Sequence, residues 1–194
     1  MRISAVILAA GASSRMGSPK ALMIRHDLTL LEETIAPFAA VGARLMVVTG
    51  FHAKRVEPAS RVLGATVIRN VAPHRGMASS VRTGLRNAGE DDLVFVHPVD
   101  CPGVRPETLR MLVGALQAFD GAHAATPLFR GRGGHPVILD RTARAVMLGT
   151  KHHFTLRDLL ARLGPAVIRV ETGDPAVLRD IDTREDAAAW LAES

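Results

Sequence analysis

The sequence predicts a doubly wound α/β domain with a mostly parallel, Rossmann-like sheet and helices on both faces. Three observations point there. Four short runs read as strands: Ala5-Val6-Ile7-Leu8, an apolar run of the kind a fully buried strand uses, the β-branched Leu45 to Thr49, Ala65 to Arg69, and the strongly apolar Leu93-Val94-Phe95-Val96. Stretches with apolar residues at helical intervals separate them, and such alternation builds parallel βαβ units. Asp100 follows the fourth run, at the kind of strand end where α/β sheets bind ligands. The 194 residues suit one domain over 1–194 with a sizeable core.

Taken in order, the first strand gives way at Gly11 to a small polar loop running to Lys20. The loop offers flexible backbone amides, the hydroxyls of Ser13 and Ser14, then Arg15 and Lys20. Inward-pointing amides closed over by two cations suit an anion. The spacing is neither a P-loop, which needs Gly-Lys-Ser/Thr, nor G-x-G-x-x-G. Leu28, Leu31, Ile35, Phe38 and Val41 then space out a helix over 28–41. Gly42 stops it, and Pro37 is expected to kink or split it. Ala53 to Leu63 reads as a helix interrupted at Pro58. Pro73 and Gly76 mark a loop before a helix in which Met77, Val81 and Leu85 face the core, with Ser80 and Gly84 on an adjacent face.

Pro106 to Phe119 forms a helix whose buried face is Leu109, Leu112, Val113, Leu116 and Phe119. His123 to Pro127 is a strand. Residues 128–140 form a small antiparallel excursion that carries an Arg/Gly-rich turn and a strand from Pro136 onward. Short helices over Thr142 to Leu148 and Leu156 to Leu163 flank Gly149 to Phe154, and Ala166 to Val170 is a late strand. Thr183, followed by Glu185 and Asp186, opens a last helix with acids in its first turn.

Composition narrows the function classes. The apolar runs are far shorter than the roughly 20 residues of a membrane span. Met1-Arg2 leads straight into the first strand, leaving no room for a signal peptide. Cys101 is the single cysteine, which excludes an intrachain disulfide and fits a reducing cytoplasm, so a cytoplasmic location is expected. The net charge is +5, from 24 Lys and Arg against 19 Asp and Glu. These cations are scattered, no basic run is interleaved with aromatics, and tyrosine is absent, so nucleic acid is not an expected partner. Polyanionic small substrates account for the charge, as does a solvated basic surface.

Several stretches resemble one family. Leu8 to Lys20 resembles the signature loop of nucleotidyltransferases, written L-A-A-G-x-S-x-R-M-G-x-x-K, and matches every fixed position. Asn70 to Gly84 resembles N-x-x-x-x-x-G-M-x-x-S-x-x-x-G, and Asp100-Cys101-Pro102 resembles D-x-P. Gly134-His135-Pro136 resembles the G-H-P segment, and Asp180 to Asp186 resembles D-I-D-T-x-E-D. The chain thus resembles the MobA-like NTP transferases, nearest to the molybdenum cofactor cytidylyltransferases. The resemblance implies a fold of the nucleotide-diphospho-sugar transferase type. It further implies that Arg15 and Lys20, with loop amides around Ala9, Ala10, Gly11 and Ser13, hold a triphosphate. Asn70, Gly76, Ser80 and Gly84 would wrap the base and ribose. Asp100 and Asp182 would bind a catalytic Mg²⁺, and His135 would border the acceptor side or position its strand. Those cytidylyltransferases usually carry a G-D-x-G-A-R-like stretch where this chain has Gly149 to Phe154.

The implied reaction is attack of an acceptor phosphate on the α-phosphorus of an NTP, with pyrophosphate leaving. The acceptor is already an anion, so alignment and charge neutralisation carry the catalysis, with Arg15, Lys20 and Asp100 as the catalytic groups. Ala10 replaces the glycine of guanylyltransferases, which favours a pyrimidine, CTP before UTP. The acceptor read from the resemblance is molybdopterin, with a molybdoenzyme receiving the product. The alternatives are a transferase acting on a sugar phosphate or another phosphorylated metabolite, and a non-catalytic nucleotide-binding accessory protein for molybdoenzyme maturation. The joint presence of Arg15, Lys20, Asp100 and Asp182 favours an enzyme.

Overall fold

A computed structural model of the protein describes residues 1–13, 18–151 and 153–193. The first strand, β1 (Ile3–Ala9), lies in mid-sheet, hydrogen-bonded in parallel to both β4 (Arg44–Thr49) and β6 (Leu93–Pro98). Two short strands, β2 (Ile24–Arg25) and β3 (Leu28–Thr29), form a separate hairpin before α1 (Leu30–Ala40). There follow α2 (Ala53–Val62), β5 (Thr66–Arg69), α3 (Met77–Asn87) before β6, and α4 (Pro106–Ala118) after it. The remaining elements are β7 (Ala124–Phe129), β8 (Arg132–Gly133), β9 (Val137–Leu139), α5 (Arg141–Gly149), α6 (Leu156–Leu163), β10 (Val167–Glu171) and α7 (Arg184–Ala192). The main sheet has the order β10-β7-β9-β6-β1-β4-β5, with β8 paired to β7.

The period of two along β1 divides the core. Ala5, Ile7 and Ala9 face one layer with Phe38 of α1, Val56 of α2 and Leu109 and Leu112 of α4. Val6, Leu8 and Ala10 face the other, with Val81 and Leu85 of α3, Ala143 and Met147 of α5 and Leu159 of α6. Helices therefore cover both faces, as the unalternating strands require. The expected antiparallel excursion has a larger role than a rim hairpin. Only β8 stays on the rim; β9 inserts between β6 and β7 and runs antiparallel to both.

Several local expectations change. Residues 28 and 29 belong to β3, and α1 begins at Leu30 because Thr29 and Glu32 form a reciprocal capping box. The hairpin turn is built on His26 and Asp27, both at positive φ. Pro37 lies inside α1 without splitting it, and α2 runs unbroken through Pro58. Pro58 and Lys54 are both exposed, so the carbonyl deprived of its helical partner faces water. Met77 does not face the core. It is 60% exposed at the first turn of α3, whereas Val81 and Leu85 are buried. No helix among the described residues is long and apolar enough to cross a membrane.

Candidate active site

A cleft of about 360 Å³ opens at the C-terminal ends of β1 and β6. A second pocket of about 260 Å³ adjoins it, and the two share Met77, Pro98, Asp100 and Asp182. Among the expected nucleotide contacts, Ala9, Ala10, Gly11, Ser13, Lys20, Gly76 and Ser80 line the first cleft, together with Asp100 and Asp182. Arg15 lies outside the described residues.

The signature loop is closed across its base. The Lys20 backbone N–H donates to Ser13 Oγ at 3.1 Å. The Lys20 side chain, only 11% exposed, places its Nζ 2.7 Å from Asp182 Oδ1 and 3.5 Å from Asp100 Oδ2. Asp100 is held by the stiff segment after β6: the Val99 N–H donates to Leu8 O at 3.1 Å, and Pro98 and Pro102 flank it.

The second acidic element arrives from 80 residues downstream. The Ile181 N–H donates to Asp100 O at 3.0 Å, which docks the extended segment before α7 beside β6. Ile181 is buried against Leu30 and Trp190. In an extended chain its two neighbours project the other way, so Asp180 and Asp182 share a side. Carboxylate oxygens of Asp100, Asp180 and Asp182 lie within 4.8 Å of one another. The α7 capping box holds this arm, with Asp186 accepting from the Thr183 N–H at 2.7 Å and from the Asp182 N–H at 3.0 Å.

The electrostatics follow from this crowding. Burial pushes the Asp100 carboxyl above its ordinary range; Lys20 opposes that shift and Asp182 adds to it. Asp180 is raised too, by burial first and then by Asp100 and Asp182. Three hard carboxylates against one ammonium make a donor set that suits a divalent cation completed by water or phosphate oxygens. Cys101 does not serve as a nucleophile: burial and Asp100 push its thiol far up, away from the thiolate.

Two of the expected contacts stand elsewhere. Asn70 is buried behind the cleft wall, where its Nδ2 donates to Ser79 Oγ at 2.6 Å and Ser80 Oγ at 3.0 Å, and its Oδ1 accepts from the Ala72 N–H at 2.9 Å. It shapes the loop that presents Gly76, whose φ of +82° suits glycine. Gly84 packs against the sheet, not the cleft. A Cβ there would collide with Val6, so its smallness serves the approach of α3 to β1 and β4. His135 lines the second pocket beside Arg132, Cys101 and Arg179. Its backbone N–H donates to Val177 O at 2.8 Å, and burial lowers its pKa, which keeps the ring neutral.

Two site features escaped the sequence reading. Asp180 joins the carboxylates; the alternation Asp180-Ile181-Asp182 around an apolar residue was its signal. Phe51 and His52, in the turn after β4, line the cleft, and His52 Nε2 lies 2.7 Å from Ala12 O. Arg82 of α3 ties the described part of the unusual Gly149 to Phe154 stretch to the domain. Its buried guanidinium donates to the carbonyls of Met147, Lys151 and Phe154 and to Thr150 Oγ1.

Comparison with known proteins places this geometry. Over 185 residues, 95% of this chain and 93% of the relative, the sequence is 25% identical to the molybdenum cofactor cytidylyltransferase of Escherichia coli (strain K12). Over 191 residues, 94% and 93% of the two chains, it is 27% identical to the nicotine blue oxidoreductase of Paenarthrobacter nicotinovorans. A molybdenum cofactor guanylyltransferase of Xanthomonas euvesicatoria is 35% identical over 112 residues, 58% of this chain and 54% of that one. The crystal structure of Rv0371c from Mycobacterium tuberculosis H37Rv superposes with a TM-score of 0.84 at 26% identity, over the full length of both chains. The same mycobacterial protein has been solved as a complex with manganese, at a TM-score of 0.81 and 25% identity over both full chains. The MobA-like NTP transferase domain matches residues 5–167. That span runs from β1 to the first residue of β10 and takes in the signature loop, Asp100 and His135, so the chain belongs to the MobA-like NTP transferase family.

Proposed function

We propose that the protein transfers CMP from CTP to a phosphorylated small acceptor, the molybdopterin cofactor, and releases pyrophosphate. The observation that carries this reading is the pairing of the two pockets across Asp100 and Asp182. The loop-lined cleft is suited to a nucleoside triphosphate, and the pocket beside it to a second substrate. A phosphate oxygen of the acceptor attacks the α-phosphorus. The bond from the α-phosphorus to its bridging oxygen breaks, and that oxygen leaves with pyrophosphate.

The chain supplies no nucleophile, because the acceptor phosphate is one. It supplies alignment and positive charge where two anions meet. Loop amides around Gly11 and Ser13, with Lys20 and Arg15, bind the triphosphate and receive the charge that develops on the leaving group. Asp100, Asp180 and Asp182 are the residues that would hold Mg²⁺. When bound, the ion supplies neutralisation of the α-phosphate charge. Lys20 is the counter-ion of these carboxylates in the free protein, and its reach to both Asp100 and Asp182 supports a role at the junction of phosphates and acids. His135 and Arg132 face the acceptor pocket.

The choice of CTP rests on Ala10. Ala10 lines the cleft, where glycine would leave more room for a purine. The full length match to a cytidylyltransferase supports the same choice. The test is pyrophosphate release measured with CTP, UTP, GTP and ATP against molybdopterin and a panel of sugar phosphates. The expected result is highest kcat/KM for CTP with molybdopterin. GTP as best donor overturns the base assignment, a sugar phosphate as best acceptor overturns the acceptor, and no release with any pair overturns the function.

A further inference from the structure

The turn after β4 presses on the signature loop at three consecutive residues. Gly50 lies so close that a Cβ there would sit 2.6 Å from Ala10 O and 2.9 Å from both Ala10 Cβ and Pro73 Cβ. The Phe51 N–H donates to Ala10 O at 3.4 Å. His52 Nε2 sits 2.7 Å from Ala12 O. A carbonyl has no proton to offer, so Nε2 is the donor and the tautomer is fixed by its partner. The carbonyls of Ala10 and Ala12 are thus both drawn toward this turn.

A trans peptide unit directs its C=O and the following N–H in opposite senses. Drawing the carbonyls of Ala10 and Ala12 toward the turn therefore directs the N–H groups of Gly11 and Ser13 away from it. Gly11 and Ser13 both line the cleft. Ser13 has a φ of +48°, a left-handed conformation that a residue with a Cβ adopts only when held there. It is held from both sides: His52 takes the carbonyl before it, and its own Oγ accepts from the Lys20 N–H. Backbone amides turned to one side of a segment that passes through the left-handed region can form an anion-binding concavity.

We infer that His52 is a positioning residue. Through the Ala12 carbonyl, its Nε2–H orients the Ser13 amide toward the phosphates of the nucleotide, an inference that rests on the proposed nucleotidyl transfer. His52 is half-buried at the cleft rim, and removing its ring opens no core cavity.

The test is equilibrium titration of CTP and of inorganic triphosphate into wild type, His52→Ala and His52→Gln, alongside steady-state kinetics and Tm. His52→Ala is expected to weaken both ligands and raise KM for CTP by about tenfold, worth ~1.4 kcal/mol. Its kcat, acceptor KM and Tm stay near wild type. His52→Gln, which keeps a donor at similar reach, is expected to recover most of the loss. Wild-type binding of CTP with equal affinity in His52→Ala overturns the inference and leaves the proposed function standing. A His52→Gln as weak as His52→Ala overturns the hydrogen-bond basis. Failure of wild type to bind CTP overturns the proposed function, and this inference with it.

Discussion

The two flanks of the cleft are held by different means. On the β1–β4 flank the loop is set mostly by backbone, with contacts close in sequence to the strand ends: neighbouring parallel strands, the Ala10 carbonyl on the Phe51 amide, and glycine where Gly50 meets Ala10, with the His52 ring on the Ala12 carbonyl as the side-chain addition. On the β6–β9–β7 flank the site is assembled from segments far apart in sequence, and buried side chains tie them together. Asp174 is the clearest case. It is buried at 1% exposure, and its Oδ2 accepts from the Arg105 N–H at 2.9 Å and from Thr108 Oγ1 at 2.7 Å. It caps α4 from 69 residues away, because Arg105 has no capping side chain of its own.

The sharpest break in this comparison lies where the flanks meet. Asp100→Asn keeps the shape and removes the charge shared by both pockets. Turnover is expected to fall by about 10²–10³-fold, the scale of losing one electrostatic group at a reacting centre. Pyrophosphate release with a parallel melting curve checks it, and a folded variant with undiminished turnover would remove Asp100 from the mechanism. Next in size is Asp174→Ala, which strips the α4 cap and leaves buried donors unpaired. It is expected to cost about 2–4 kcal/mol in denaturant unfolding, against about 1 kcal/mol for Thr29→Ala at the locally made cap of α1. Equal costs would erase the distinction between a cap assembled at long range and one made within its own turn.

A pH series sharpens the same contrast. His97 of β6 is fully enclosed: its Nε2–H donates to Cys101 O at 2.8 Å, and its ring lies between those of Phe38 and His135. Burial, with the neighbouring His135, depresses its pKa from 6.5 to about 3. The unfolded chain therefore binds the extra proton first. The stability from neutral His97 is full above pH 6.5 and is lost as pH falls toward about 3. His97→Gln is expected to flatten the acid limb by up to about 1.4 kcal/mol per pH unit, one proton's worth. Denaturation midpoints between about pH 6.5 and 4.5 measure this, and an unchanged slope would show that His97 does not govern it. The smallest effect belongs to the backbone-built flank. Ala10→Gly is expected to improve kcat/KM for GTP by about fivefold, since one methyl group is a weak sieve. No gain for GTP would remove Ala10 as the cause of base choice.

The same division sets what the sequence discloses. The order of strands β1, β4, β5 and β6 is legible because each is an apolar run between periodic helices, a local signal. The position of β9 is not. Val137-Ile138-Leu139 reads as a strand, but its insertion between β6 and β7 depends on pairing partners over 40 residues apart for β6. In the site, the motif residues Lys20, Asp100 and Asp182 are found by local pattern, and the structure brings their charged groups together. Asp180 was visible in the same motif, yet only the burial of Ile181 shows which way it turns. Gly84 shows the opposite error: a small residue on a ligand-facing helix suggests a contact, and its real neighbours Val6 and Val48 come from strands the helix pattern cannot name. Met77 fits the helical spacing of its core neighbours but is exposed at the first turn of α3, where it lines both pockets.

The contact between Gly134 and Val177 has a consequence for how such a protein changes over generations. A Cβ at Gly134 would collide with the Val177 carbonyl, and the His135 N–H donates to that same oxygen. The residues facing the second pocket and the arm that delivers Asp180 and Asp182 thus share one atom as their common anchor. Replacing one of these segments displaces the other, so a change in the shape of the second pocket calls for paired substitutions at both. An exchange that moves the Val177 carbonyl therefore also moves the segment carrying these two carboxylates.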